Sequence, residues 1–292
     1  MRVSSLYESS KKPVISLEFF PPRNEKAEKN FGNLIDNLSE VKPEYMSVTF
    51  GAGGSNRDGS YQTVKTIMVN KNLPTVAYIA GCGLGPDEIT EVLDNYKKLG
   101  VKTIFVIRGD TPNDDNYTPH PDSFSYASEL ITFIKKRYDF TLGCAGYPEG
   151  HIEAESLEKD IEFLKLKVEN GAEYIVAQYC YDNNYFFEYI EKCRVAGINV
   201  PIIPGIMPVY TVKMTKMLSK VCGTTIPDKM QSELDRLDAS DKDDVLKFGI
   251  DFAAEQCREL LKEKVTGLHF YTMNRSKSTT EIITRLKQEN LL

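Results

Sequence analysis

Glu18 lies between Leu17 and Phe19 inside the apolar run Val14–Phe20. A carboxyl among such neighbours is partly desolvated, which favours its neutral form and suits it to general-acid work near neutral pH. The other use of such a residue is as a buried structural glutamate paired with Arg or Lys. Arg108-Gly109-Asp110 closes a second apolar run. Arg108 offers a planar clamp for phosphate or carboxylate, Gly109 permits close backbone approach to a ligand, and Asp110 adds a second acid. A turn with a local Arg–Asp ion pair accounts for the same tripeptide. His151, in Ala145-Gly146-Tyr147-Pro148-Glu149-Gly150-His151, can act as base, ligand or donor, or be a solvated loop histidine. Gln178 carries donors and acceptors that fit the edge of a heterocycle, or it is a satisfied buried amide. Two acids near one mouth are also the minimum for a glycosidase, so a two-carboxylate hydrolase is an alternative.

These residues share a position: each ends a short apolar run. The runs are Val14–Phe20, Tyr45–Thr49, Thr75–Ala80, Thr103–Ile107, Thr141–Ala145, Tyr174–Gln178, Pro201–Ile206 and Gly267–Thr272. Rich in β-branched residues and often apolar throughout, they read as strands buried on both faces. Amphipathic stretches separate them. Leu157, Ile161, Leu164 and Val168 lie on one helical face, with Ser156 as N-cap and Gly171 as stop. Leu246, Ile250, Ala253, Cys257 and Leu260 repeat the pattern behind a capping signal at Ser240 and Asp243. Gly100, Gly171 and Gly197 each stop a helix before the next strand. Eight strand–helix units predict a (β/α)8 TIM barrel formed as one domain over residues 1–292. The seventh unit is long: about 60 residues separate Ile206 from Gly267, room for two or three helices. A doubly wound open sheet competes, but no strand precedes Gly-x-Gly-x-x-Gly; Gly81-Cys82-Gly83-Leu84-Gly85-Pro86 ends in proline.

In a barrel of this kind the active site lies at the carboxyl ends of the strands. That end collects Glu18, Thr49, Arg108, Gly109, Asp110, the Ala145–His151 loop, Gln178, Asn274 and Arg275. The Gly51–Gly54 run is most simply a turn; a phosphate-binding loop would need backbone N–H groups aimed at one anion. Tyr179, Tyr181, Tyr185, Phe186 and Phe187 after the sixth strand can stack on a planar ring or pack helix against barrel.

Composition narrows the classes. Thirty-six Lys and Arg against 42 Asp and Glu leave a net charge of −6, which disfavours a nucleic-acid partner. No stretch approaches the roughly 18 consecutive apolar residues of a membrane span, and the first residues lack a signal-peptide pattern. The protein is therefore read as cytoplasmic, with no membrane partner. None of the six cysteines forms a Cys-x-x-Cys pair or has zinc-ligand spacing with a histidine, so they are read as reduced and mostly buried, with no metal site.

Taken together, Leu17–Pro22 (LEFFPP), Ser47–Ala52 (SVTFGA), Arg108–Pro112 (RGDTP), Ala145–His151 (AGYPEGH), Asp160 onward through LKLKVENGA, Ala177–Asp182 (AQYCYD), Ile203–Pro208 (IPGIMP) and His269–Arg275 (HFYTMNR) resemble the methylenetetrahydrofolate reductases. The segments occur in family order over nearly the whole chain. The resemblance implies a barrel carrying tightly but non-covalently bound FAD, with NADH or NADPH as co-substrate and a folate as substrate. Hydride would pass from the nicotinamide to the flavin and then, in ping-pong order, to the folate, giving 5-methyltetrahydrofolate. It implies Glu18 as the acid that protonates N10 and Asp110 as the acid that tunes flavin and pterin. Thr49, Arg108, Gly109, Asp110, Tyr126, Ala127, Ala145, Tyr147, His151, Asp160 and Lys167 match flavin-binding positions. Glu18, Asp110, Gln178 and Arg275 match substrate positions, and the aromatic group after the sixth strand would suit the aminobenzoate ring. A homo-oligomer is expected. A non-catalytic flavin- or folate-binding barrel is a further alternative, against which Glu18 and Asp110 argue.

The sequence departs from the family pattern at Tyr78-Ile79-Ala80-Gly81, where His-Leu-Thr-Cys is expected, removing a flavin-contacting histidine and a threonine. Phe163 and Leu166 replace polar residues at the flavin's adenosine end. The last strand and helix end at residue 292, so no regulatory domain and no control by S-adenosylmethionine are expected.

Overall fold

Eight short, mostly apolar runs form a closed parallel barrel in the order β1 to β8. The computed structural model describes residues 2–51, 57–111 and 117–292. The strands are β1 (Val14–Phe19), β2 (Tyr45–Val48), β3 (Thr75–Ala80), β4 (Thr103–Ile107), β5 (Thr141–Gly146), β6 (Tyr174–Ala177), β7 (Ile202–Ile206) and β8 (Gly267–Tyr271). Each pairs with the next, and β8 closes on β1 with Ser16 opposite His269 and Glu18 opposite Tyr271. Thr49 and Gln178 fall one residue past their strands. Their backbones still donate to Phe19 O (3.0 Å) and Gly146 O (2.8 Å), so the ladder ends by handing both residues to the mouth.

The helices are α1 (Val3–Ser9), α2 (Glu25–Ser39), α3 (Arg57–Lys65, prolonged by a π-helical turn over Thr66–Asn70), α4 (Pro86–Leu99), α5 (Ala127–Lys135), α6 (Leu157–Glu169), α7 (Asn183–Val195), α8 (Val212–Cys222), α9 (Asp228–Arg236), α10 (Lys242–Lys262) and α11 (Lys277–Gln288). The long seventh unit holds three of them, α8 to α10. Ser156 caps α6 as expected, accepting from Lys159 N. The cap of α10 is Asp241, which accepts from both Asp243 N and Asp244 N, not Ser240 or Asp243. A carboxylate bonds two orphan N–H groups at once there and complements the helix dipole. Gly100, Gly171 and Gly197 take positive φ at their helix ends.

Helix α1 closes the amino-terminal end of the barrel. Val3 N donates to Thr103 Oγ1 at the start of β4 (3.2 Å), and the Tyr7 and Tyr45 hydroxyls meet at 2.9 Å. Above them an aromatic chain fills the interior: Tyr174 lies 6.0 Å from both Tyr7 and Phe105, and Phe105 stacks on Tyr78 at 4.4 Å. Gly143 makes this filling possible, since a Cβ there would collide with both Tyr174 and Phe105. One end is thus plugged and the other carries the polar residues. Four cysteines are buried and all six are free thiols. Among the described residues, no helix is long and apolar enough to cross a membrane.

Candidate active site

Successive side chains of a strand alternate between its faces, so Ser16 and Glu18 share one face of β1. That face meets β8. Ser16 Oγ lies 2.8 Å from His269 Nδ1, and His269 Nε2 lies 3.5 Å from Glu18 Oε2. From β3, the Tyr78 hydroxyl donates to Glu18 Oε2 at 2.6 Å. Glu18 is only 6% exposed, and no Arg or Lys pairs with it among the described residues. The expected burial is observed, while the structural alternative of a basic partner is not. Burial and the nearby Glu18 carboxyl both push the Tyr78 and Tyr271 phenols well above their usual range, so both keep their protons.

The chain leaving β1 is clamped to the loop after β8. Thr272 Oγ1 donates to Glu18 O (2.6 Å); Phe20 N donates to Asn274 Oδ1 (3.0 Å) and Asn274 Nδ2 to Phe20 O (2.9 Å). Met273 and Asn274 both have positive φ, 50° and 54°. Two consecutive non-glycine residues in this region carry strain, which the three clamp bonds offset.

A second centre opens between the ends of β4 and β5 and the helices α5 and α6. It is a cleft of about 380 Å³ lined by Arg108, Tyr126, Ala127, Ala145, Tyr147, His151, Asp160 and Lys167, among others. Eight residues singled out from sequence therefore come together. Lys167 Nζ donates to Ala145 O at 2.6 Å, and His151 stands edge-on to Tyr147 at 4.7 Å. Asp160 is 6% exposed, yet its Oδ2 has no hydrogen-bond partner. Burial pushes its carboxyl up, partly opposed by Lys167 and His151. A buried acceptor without a donor is costly in an empty protein and fits a ligand that brings a hydroxyl or N–H. Phe163 and Leu166, 49% and 43% exposed, line the same cleft and give it an apolar wall.

The remaining candidates sort differently. Arg108 pairs with Glu153, so the Arg–Asp turn is not formed, and Asp110 is exposed. Gly109 has φ +84°, and a Cβ there would come within 2.7 Å of the Ala80 Cβ. The Gly109 backbone thus packs closely on β3, and the alanine at position 80 belongs to that approach. Thr49 and Gln178 are half-buried at the mouth; the Gln178 amide makes no hydrogen bond with a described residue, so it is not a satisfied buried amide. Arg275 is exposed, its guanidinium 5.4 Å from the Tyr210 ring. The aromatic group after β6 is mainly packing: Tyr179 and Tyr181 join a cluster with Met207, Val209 and Tyr210, while Phe186 enters the main core. Packing, the commoner of the two uses of such a group, accounts for these rings. Gly53, Gly54 and Pro112 lie outside the described residues.

Sequence reading missed Tyr78, Ser16 and His269 as neighbours of Glu18. The two-residue spacing of Ser16 and Glu18, matched by His269 and Tyr271, was the available signal.

A closed parallel barrel with a buried acid at its carboxyl mouth and an adjoining cleft defines a TIM-barrel protein of enzyme type. The family model described as methylenetetrahydrofolate reductase matches residues 2–287. The chain is 35% identical over 268 residues to 5,10-methylenetetrahydrofolate reductase of Escherichia coli, covering 92% of this chain and 88% of that protein. It is 35% identical to methylenetetrahydrofolate reductase 1 of Schizosaccharomyces pombe and 33% identical to methylenetetrahydrofolate reductase (NADH) 1 of Arabidopsis thaliana, over 94% of this chain in each case. It spans about half the length of those two relatives, 46% and 48%. A solved Clostridium thermocellum protein that binds two copies of 5-methyl-5,6,7,8-tetrahydrofolic acid shares the fold, with a TM-score of 0.65 at 16% identity over 98% of both chains. The chain belongs to the methylenetetrahydrofolate reductase family.

Proposed function

We propose that this protein reduces 5,10-methylenetetrahydrofolate to 5-methyltetrahydrofolate, using NADH or NADPH and non-covalently bound FAD in a ping-pong sequence. The observation that carries the reading is the β4–β5 cleft, where eight of the expected flavin positions converge and one of them, Asp160, buries an Oδ2 with no hydrogen-bond partner. Those residues fit the group. Asp160 Oδ2 would accept from a hydroxyl, Arg108 would face a phosphate, and Tyr126 with Phe163 and Leu166 would cover apolar rings. When bound, the flavin would supply the hydride, taken from the nicotinamide.

The chain's own residues handle the folate. Glu18 would give a proton to N10 as the bridging carbon–nitrogen bond opens and leaves an electrophilic 5-iminium. N10 is a poor leaving group unprotonated, so this transfer lowers the barrier of that half alone. Asp110, exposed at the end of β4, would act as a fixed negative charge near the reacting rings. Gln178, its amide uncommitted, would orient the pterin edge. Ser16, through His269, and the Asn274 clamp would keep Glu18 in place. A folate substrate is in keeping with the Clostridium thermocellum protein of the same fold, which binds 5-methyl-5,6,7,8-tetrahydrofolic acid. One catalytic barrel over residues 1–292, assembled as a homo-oligomer and working in the cytoplasm, completes the proposal.

The test is spectroscopic. The purified protein should show flavin absorption, bleach anaerobically with NADH or NADPH, and recover its colour on adding methylenetetrahydrofolate. A colourless protein that binds no added flavin contradicts it.

A further inference from the structure

Sequence comparison makes Tyr78 a loss, a position where a flavin-contacting histidine is absent. Its surroundings give it another task. The ring is buried, stacked on Phe105 at 4.4 Å, and aimed so that its hydroxyl reaches Glu18 Oε2 at 2.6 Å. His269 Nε2 faces the same oxygen at 3.5 Å. No hydrogen bond reaches Oε1 from a described residue. We propose that Tyr78 is a positioning residue that donates to Oε2 of Glu18, thereby directing the acidic proton of Glu18 to Oε1, the oxygen left for the substrate.

The argument is one of donor count. A carboxylic acid has one proton and two oxygens, and an oxygen that accepts an O–H cannot hold its own proton on the same line. With Tyr78 as a fixed donor, the protonated acid carries its hydrogen on Oε1. Loss of that proton to N10 leaves a carboxylate whose charge the Tyr78 bond stabilises, and bonds to charged acceptors are the stronger kind. Tyr78 itself keeps its proton throughout, as its raised phenol requires. The groups facing Glu18 are Tyr45 from β2, Tyr78 from β3, and His269 and Tyr271 from β8. Of these, only Tyr78 makes a hydrogen bond to the carboxyl at 2.6 Å.

This inference rests on the proposed reductase reaction, and the experiment separates the two. Wild-type protein that fails to bleach with NADH or NADPH refutes the reaction. If it bleaches, Tyr78→Phe is compared with it in both half-reactions across pH. Tyr78→Phe keeps the ring and its stack. Reoxidation by methylenetetrahydrofolate should fall about tenfold, and its alkaline limb should move up by about one pH unit, because the carboxylate has lost a donor. Reduction by the nicotinamide should stay within about twofold. Fluorotyrosine at position 78, a more acidic phenol and a stronger donor, should move the limb the opposite way; this second variant also serves if Tyr78→Phe fails to fold. An unmoved limb in the variant that folds, or equal losses in both halves, overturns the proposal.

Discussion

The Glu18 cluster and the β4–β5 cleft differ in how completely the protein satisfies them. Around Glu18 most groups have a partner within the chain: Tyr78 holds Oε2 of the carboxyl, Thr272 and Asn274 hold the backbone, and Ser16 holds His269, leaving Glu18 Oε1 and His269 Nε2 without a hydrogen bond among the described residues. In the cleft, Asp160 Oδ2 is buried without a donor, and Tyr126, Phe163 and Leu166 leave 62%, 49% and 43% of their surface exposed. A reaction centre gains from groups already oriented, because reorganisation then costs little as charge develops. A receptor for a tightly held cofactor can leave groups unmatched, because binding completes them. Under the proposed reaction, the contrast would place catalysis in the first region and cofactor retention in the second.

Substitutions can break the contrast. The largest effect is expected at Glu18. Glu18→Gln keeps size and hydrogen bonding but removes the proton, so steady-state turnover should fall by about 10²–10⁴-fold while flavin stays bound; comparing kcat and the visible spectrum on one preparation checks both halves of that statement. Asp160→Ala should do the reverse. Removing a charged acceptor weakens FAD affinity by roughly ten- to a hundredfold, read by fluorescence titration of the apoprotein, with kcat at saturating FAD within a few-fold of wild type.

Asp160 also sharpens the contrast through stability. Burial raises its carboxyl above the unfolded value, so its contribution to stability is fully present below the unfolded pKa and is lost as pH rises through the folded one. Asp160→Asn should therefore stabilise the apoprotein at neutral pH, by about 1 kcal/mol, and the gain should vanish in acid. Thermal melts of both apoproteins between neutral and acid pH would show it; a gain that persists in acid would mean that ionisation of Asp160 is not the cause. The smallest effect belongs to Asp110. An exposed charge interacts at roughly 1 kcal/mol or less, so Asp110→Asn should raise the flavin potential by only about 10–20 mV, measurable by equilibration with a reference dye.

Much of this architecture is legible before folding. The strands announce themselves because a parallel strand covered on both faces needs a largely apolar run rich in β-branched residues, and Thr75–Ala80 and Thr103–Ile107 are such runs. The mouth follows, since a barrel delivers its strand ends to one side. The partners of Glu18 are harder to see. Tyr78 is 60 positions away and His269 lies 253 positions from Ser16, so their contacts exist only once the barrel closes in register. Gly109 illustrates the other gap: its freedom is visible in the residue type, but Ala80, which it must approach, is not. The tyrosines after β6 leave two uses open in the sequence because aromatic content alone does not say whether a ring faces ligand or core; α8 to α10 bring the side chains that cover Tyr179 and Tyr181.

The central claim is that Glu18 serves the folate half of the reaction and the β4–β5 cleft serves the flavin. Anaerobic stopped-flow measurement of Glu18→Gln tests it most directly, because each half is timed alone. Flavin reduction by NADH or NADPH, a direct hydride transfer that uses no proton donor, should proceed at a rate close to that of the wild-type protein. Reoxidation by methylenetetrahydrofolate should nearly stop. Equal slowing of both halves would make Glu18 a residue that holds the flavin or the fold, and undiminished reoxidation would remove it from the chemistry.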